Sequence, residues 1–183
     1  MWEKEIKAMQ ADILGGKLLD RINSFEPIID SKSRILILGS MPGQESLNRK
    51  EYYAHPRNQL WKIVFALFDM PVEENYEKKK LFIKIKGIAL WDVIDNCYRE
   101  GSSLDSAIRG AEVNDFKGLF KVFPNIKHIV FNGTKAFETF RKKVGFNDFS
   151  HISFKQLIST SPARAMVFEK KFDDWKIIRD LLK

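Results

Sequence analysis

The sequence predicts an α/β fold, a short and mostly parallel four-stranded sheet with helices on both faces, and three observations lead to it. Four short runs, at residues Arg34 to Leu38, Ile88 to Val93, Ile126 to Asn132 and His151 to Ile158, read as strands, the first an aliphatic run and the first two with the pattern of buried strands. The segments between them carry helical periodicity, and strands that alternate with helices pair in parallel through right-handed crossovers. At 183 residues and 44% hydrophobic, the chain is long enough for one well-buried domain and short for two, so residues 1–183 are read as a single domain.

Trp2, Ile6, Met9, Ile13 and Leu18 recur at near-helical spacing, which predicts an N-terminal helical extension over residues 1–27, ending around Asn23 to Pro27. Gly15 and Gly16 weaken its continuity. The run Arg34 to Leu38, closed by Gly39, reads as a strand buried on both faces, and the polar stretch Ser40 to Arg57 after it is long for a connector. Asn58 to Phe68 has helical periodicity, Glu73 to Lys84 is a charged surface helix, and Ile88 to Val93 is the second strand. Short helices are expected at Leu104 to Ile108 and at Asp115 to Phe123, where Pro124 stops the chain. Ile126 to Asn132 is the third strand, and Thr134 can cap a helix running to Val144. His151 to Ile158 is the fourth strand, and Phe168 to Leu182 closes the fold as a helix. Ligands of such sheets bind at the carboxyl ends of the strands, so the loops after Leu38, Trp91, Asn132 and Ile158 are expected to form the site.

Thirty-one Lys and Arg against 24 Asp and Glu give a formal charge of +7 and a pI near 9.4, a balance that favours a polyanionic partner. The single Cys97 excludes an internal disulfide framework, a CxxC zinc site and a four-cysteine iron–sulfur cluster. Neither a signal peptide nor an 18-residue apolar run stands in the sequence. The expectation is an unanchored monomer in a reducing compartment, cytoplasmic or, in a eukaryote, nuclear, with no membrane partner.

Three constellations carry chemistry. Gly39-Ser40-Met41-Pro42-Gly43 is a strand-to-loop turn whose glycines admit a ligand close to the backbone, although a plain tight turn has the same look. It has no lysine for a phosphate loop and no GxGxxG spacing. In Tyr52-Tyr53-Ala54-His55-Pro56-Arg57-Asn58-Gln59-Leu60-Trp61, aromatic, imidazole, guanidinium and amide groups crowd one loop ahead of a helix. There Asn58 also fits as a helix cap and Trp61 as core. Ser159-Thr160-Ser161-Pro162-Ala163-Arg164 offers hydroxyls and a cation after the last strand, suited to phosphate contacts or, more plainly, to a Ser/Thr turn.

These blocks, together with Gly87 to Ile108 and the run Val130 to Ala136, resemble the motif set of the uracil-DNA glycosylase superfamily, closest to its hypoxanthine-DNA glycosylase branch, over roughly residues 32 to 183. The resemblance implies a three-layer α/β/α sandwich, extrusion of a deaminated base from DNA into a pocket, and hydrolysis of its N-glycosidic bond without a cofactor and without strand cleavage. A uracil or thymine mismatch glycosylase and an inactive nucleic-acid-binding domain are the alternatives.

In the uracil-removing branches the first motif places an Asp or Asn to hold the attacking water; this chain has Met41 there, and a thioether cannot orient water. The matching candidate is Asn58, with His55 and the amides of the turn stabilising the departing base. Base contacts are expected from Gly39, Ser40, Met41, Pro42, Gly43, Tyr53, Trp91, Asp92 and Asn132. Contacts to DNA are expected from Ser159, Thr160 and Ser161, with Arg164 and Met166 as candidate wedges for the vacated stack. An ionised Asp92 accepts hydrogen bonds only, and so favours bases that present a ring N–H. Its plain alternative is a turn cap or an ion pair with a nearby Arg.

Overall fold

The computed structural model describes residues 13–14, 17–18, 21–99 and 103–183. The first strands are short: β1 (Ile13–Leu14) pairs antiparallel with β2 (Lys17–Leu18), and β3 (Arg21–Asn23) follows. The expected N-terminal helix therefore does not run on to Asn23 or Pro27, and its first part, with Trp2, Ile6 and Met9, lies outside the described residues. In the sequence, Gly15-Gly16 is a two-residue hairpin signal, and here it outweighs the helical spacing of Ile13 and Leu18.

The remaining strands are β4 (Ile35–Gly39), β5 (Ile88–Asp92), β6 (Ile94–Tyr98), β7 (Arg109–Val113), β8 (His128–Asn132) and β9 (Ser153–Leu157). The helices are α1 (Gln44–Arg49), α2 (Leu60–Ala66), α3 (Tyr76–Ile85), α4 (Phe116–Val122), α5 (Thr134–Lys143), α6 (Phe168–Trp175) and α7 (Ile177–Leu181).

The central sheet has the predicted kind: four parallel strands in the order β5-β4-β8-β9, flanked by helices. Every residue of β4 and β5 is buried, as their unbroken apolar runs require of strands covered on both faces. The outermost strand β9 (Ser-Phe-Lys-Gln-Leu) exposes polar side chains at its edge. α3 packs beside β5 and α5 beside β8. Between α4, α5 and the sheet lies an aromatic cluster in which Phe140 meets Phe116, Phe131, Phe146 and Phe154 at centroid distances of 4.9 to 5.8 Å.

A second sheet was not expected. β3, β6 and β7 form an antiparallel sheet with β6 in the middle. β6 reads Ile-Asp-Asn-Cys-Tyr and β7 Arg-Gly-Ala-Glu-Val, too polar and irregular to announce strands. Past β3 the chain continues along β5, where Ile28 and Leu90 exchange two backbone hydrogen bonds of 2.9 Å. This route sets Ser24 against the carboxyl end of β5. Two smaller differences concern helices: the polar stretch after β4 contains α1, and the closing helix is interrupted at Lys176 between α6 and α7.

Candidate active site

Four strand ends, Gly39 of β4, Asp92 of β5, Asn132 of β8 and the loop after Leu157 of β9, open on one cavity of about 140 Å³. A dry cavity of roughly 150 Å³ is known to hold one benzene ring, so this space suits a single planar heterocycle. Its position is the one expected of a parallel sheet.

One wall is the turn Gly39 to Gly43. A methyl group on Gly39 would collide with Asp92 Oδ1 and stand 2.9 Å from the Tyr53 hydroxyl, so a residue without a β-carbon is required there. The turn is clamped from the segment around β6: Val93 N–H donates to Gly39 O at 2.8 Å and Ile94 N–H to Ser40 O at 3.1 Å. Ser40 Oγ donates to Asp105 Oδ1 at 2.5 Å, and the buried Arg99 guanidinium donates to Pro42 O. Met41 packs with Ile94, Cys97 and Ile108, which accounts for a thioether in this motif as apolar packing at the cavity's edge.

Asp92 is 3% exposed, and its Oδ2 accepts the Ser24 hydroxyl at 2.7 Å. Burial pushes its carboxyl up from 3.8 to about 7; the Ser24 hydrogen bond opposes this, the Asp105 carboxylate adds to it, and Arg99 opposes it. Near neutral pH the group is thus divided between carboxylate and acid. Tyr53 beside it has φ 56°, a left-handed conformation that bulky residues adopt only when their surroundings impose it. Burial raises its phenol far above the usual range, as it does that of Tyr52, whose hydroxyl donates to Phe25 O at 3.2 Å.

The opposite wall is a hydrogen-bonded chain. Asn132 Nδ2 donates to Thr160 Oγ1 at 2.8 Å, so the single hydroxyl proton of Thr160 goes to Asn58 Oδ1 at 3.0 Å. Thr160 N–H returns a bond of 2.8 Å to Asn132 Oδ1, and Leu60 N–H donates to Asn58 Oδ1 at 3.0 Å. Both lone pairs of the Asn58 oxygen are engaged, and its Nδ2 makes no hydrogen bond among the described residues. The N-cap position of α2 is held by Gln59, and Asn58, one residue ahead of it, satisfies the first N–H of the helix at Leu60. His55 Nδ1 accepts Arg57 N–H at 3.1 Å, which in the neutral ring places the proton on Nε2, and His55 lines the cavity.

Of the expected base contacts, Gly39, Ser40, Met41, Pro42, Gly43, Tyr53, Asp92 and Asn132 line this cavity together with His55 and Asn58. Trp91 does not: it is stacked edge-on against Phe116 of α4 at 5.4 Å and donates its indole N–H to Phe25 O at 3.0 Å. Strand alternation explains this, since successive side chains of β5 leave on opposite sides and only Asp92 turns into the cavity. Thr160 is 0% exposed with its hydroxyl spent internally, which makes it a link between loops instead of a DNA contact. Ser159 and Ser161 line the cavity, while Arg164 and Met166 lie outside it and Arg164 is exposed. The loop carrying them rests on Lys171, 1% exposed, whose Nζ donates to Ser161 O at 3.1 Å; burial, with Arg164 second, holds this ammonium below its usual range.

The sequence did not point to Ser24, Arg99, Asp105 or Lys171. Ser24 follows β3, outside every quoted block, while Arg99 and Asp105 lie within the block Gly87 to Ile108 and meet the site through the end of β6 and the loop that follows it. Lys171 is hidden within the charged-looking run Glu169 to Lys171.

A ring-sized cavity with amide, imidazole and carboxyl groups at the carboxyl ends of a parallel sheet has the size and chemistry of an enzyme site for one planar heterocycle, on a chain whose positive charge suits a polyanion. Residues 26–182 match the profile of the Uracil DNA glycosylase superfamily. A hypoxanthine DNA glycosylase of Methanosarcina acetivorans is 36% identical over 157 residues, covering 84% of this chain and 95% of that one. Its counterpart in Methanosarcina barkeri is 33% identical over 154 residues, covering 82% and 93%. The solution structure of a Methanosarcina acetivorans protein assigned as a uracil DNA glycosylase superposes with a TM-score of 0.77 at 34% identity, over 90% of this chain and all of that one. The chain belongs to the uracil DNA glycosylase superfamily, a family of hydrolytic DNA N-glycosylases.

Proposed function

We propose that this enzyme removes hypoxanthine from DNA by hydrolysing the N-glycosidic bond, leaving the strand intact. The observation that carries the reading is the joint placement of Asn58 and Asp92 in one cavity of about 140 Å³. The name shared by the two Methanosarcina relatives supports the same base. Breaking the bond develops a sugar cation and a departing base anion. Such a cation needs a well-placed water more than a strong base. Asn58 Nδ2, the free part of a side chain fixed by Thr160 and Leu60, donates to that water's oxygen and leaves its other lone pair for attack at C1′. His55 Nε2–H and the turn amides face the charge accumulating on the base. The carboxylate of Asp92 accepts the ring N1–H of hypoxanthine, and Ser159, Ser161 and Arg164 bear on the DNA backbone and the vacated stack. The cavity lining, among the described residues, includes no lysine to form a Schiff base with the sugar.

The test is incubation with oligonucleotides that each carry one deoxyinosine, deoxyuridine, deoxyxanthosine or mismatched thymidine, followed by alkaline cleavage of abasic sites. Product is expected from deoxyinosine, and none without the alkali step. Product from deoxyuridine or mismatched thymidine alone replaces the base assignment, and binding without product replaces catalysis by recognition.

A further inference from the structure

Tyr53 combines three features that its place in the fold does not require. Its backbone is left-handed at φ 56°, a conformation costing on the order of 1 kcal/mol or more for a residue with a β-carbon. The chain is held to it from both sides, by Tyr52 N–H donating to the Tyr76 hydroxyl at 2.8 Å and by Ala54 N–H donating to Ser46 Oγ at 3.2 Å. The residue is half-buried, but its hydroxyl oxygen is buried and has no hydrogen bond of full geometry, with only the Asn132 side chain standing near it. Leaving a buried hydroxyl unpaired is unfavourable unless a ligand completes it.

The hydroxyl stands over Gly39 next to Asp92 Oδ1, and the missing β-carbon of Gly39 is the space they share. The serine hydroxyls on the same wall are committed elsewhere, Ser24 to Asp92 Oδ2 and Ser40 to Asp105 Oδ1. The Asp92 oxygen over Gly39 and the Tyr53 hydroxyl thus form an acceptor beside a donor. That order matches a ring N–H next to a carbonyl on the edge of a base.

We infer that the Tyr53 hydroxyl donates to the exocyclic oxygen of the extruded base and, with Asp92 accepting the adjacent ring N–H, sorts carbonyl-bearing from amino-bearing bases. This rests on the hypoxanthine reading above. Hypoxanthine places O6 at the phenol and N1–H at the carboxylate. Adenine, its parent, turns a lone pair toward the carboxylate and is refused. Guanine carries the same N1–H and O6, so its exclusion falls to the rest of the cavity and to the pairing strength that opposes extrusion.

The experiment compares single-turnover excision of deoxyinosine with that of its 6-thio analogue, which keeps N1–H and replaces O6 by a poor acceptor, for wild type and Tyr53→Phe. The ratio of the two rates is expected to fall roughly tenfold in Tyr53→Phe, because the lost partner matters only where an oxygen was read. An unchanged ratio in a folded variant overturns the assignment and leaves the substrate reading standing. Failure of wild type to excise deoxyinosine overturns the substrate reading itself. If Tyr53→Phe does not fold, 3-fluorotyrosine at position 53, a stronger donor of nearly the same shape, is expected to raise the ratio, and an unmoved ratio overturns the assignment.

Discussion

The two walls of the cavity are built on opposite principles. On the β8 and β9 side, the chain Asn132–Thr160–Asn58 uses its polar atoms against one another and fixes each proton by elimination. On the β4 and β5 side, Asp92 is buried with a displaced titration and Tyr53 keeps an unmatched hydroxyl in a strained backbone. A satisfied network holds a geometry that must not change during reaction, whereas an unsatisfied pair gains most from a ligand that completes it. The first wall suits water placement and the second suits base selection.

The largest effect that sharpens this contrast is expected at Asn58. Asn58→Ala removes the amide proposed to hold the water together with the partner of Leu60 N–H, and single-turnover excision is expected to fall about 10²- to 10³-fold. Asn58→Asp keeps an oxygen for Leu60 N–H and the Thr160 hydroxyl but loses the Nδ2 donor. Recovery of the melting temperature in Asn58→Asp without recovery of rate assigns the catalytic part to the amide. Recovery of both returns Asn58 to a partner of Leu60 N–H.

At Asp92 the two walls predict different trades. Asp92→Asn is expected to slow deoxyinosine excision by about tenfold while making the protein more stable at neutral pH. The sign follows from the displaced carboxyl: between pH 3.8 and about 7 the folded protein keeps a proton that the unfolded chain gives up. Stability is therefore fullest below this window and falls as pH rises through it. An amide cannot ionise, so the melting curves of wild type and Asp92→Asn are expected to diverge as pH rises and to converge toward pH 4. The rate profile runs the other way, since the carboxylate accepts N1–H more strongly than the neutral carboxyl does, and wild-type excision is expected to rise through about pH 7. Parallel melting curves would remove Asp92 from the buried pair.

The smallest effect is expected at Thr160, which joins the walls' supporting loops. Thr160→Val keeps the volume and removes the hydroxyl, leaving Asn132 Nδ2 and one lone pair of Asn58 without their partner. A loss of roughly 1 to 3 kcal/mol in stability is expected with a severalfold lower rate, and Thr160→Ser is expected to restore both. A normal rate in Thr160→Val would mean that Asn58 is held by Leu60 alone.

The parallel sheet was legible because strands buried on both faces must be apolar throughout, as β4 and β5 are. The antiparallel sheet was not, because β6 and β7 face solvent on part of their length and break register near Asn96. Among the described residues the N-terminal helical reading gave way to strands at Ile13–Leu14, Lys17–Leu18 and Arg21–Asn23, in a sequence whose helical spacing is interrupted by a glycine pair. Within the site, the turn Gly39 to Gly43, His55, Asn58 and Asp92 stand in recognisable blocks. Trp91 was misplaced by one step of strand alternation, and Thr160 by taking an exposed-looking loop residue as exposed. Ser24 acts at a distance along the chain that no local pattern encodes, and Arg99, although inside the block Gly87 to Ile108, carries no local sign that it reaches Pro42.

On the proposed reading, in which Asp92 meets the base, its displaced titration makes base capture an acid–base event. At pH 7 a good part of the population carries the carboxyl in its neutral form. A base that must be met by the carboxylate drives that proton into the medium as it enters. The same base then binds more weakly in acid and, near neutrality, deposits a fraction of a proton per binding event, so that the heat of binding varies with the buffer that receives it.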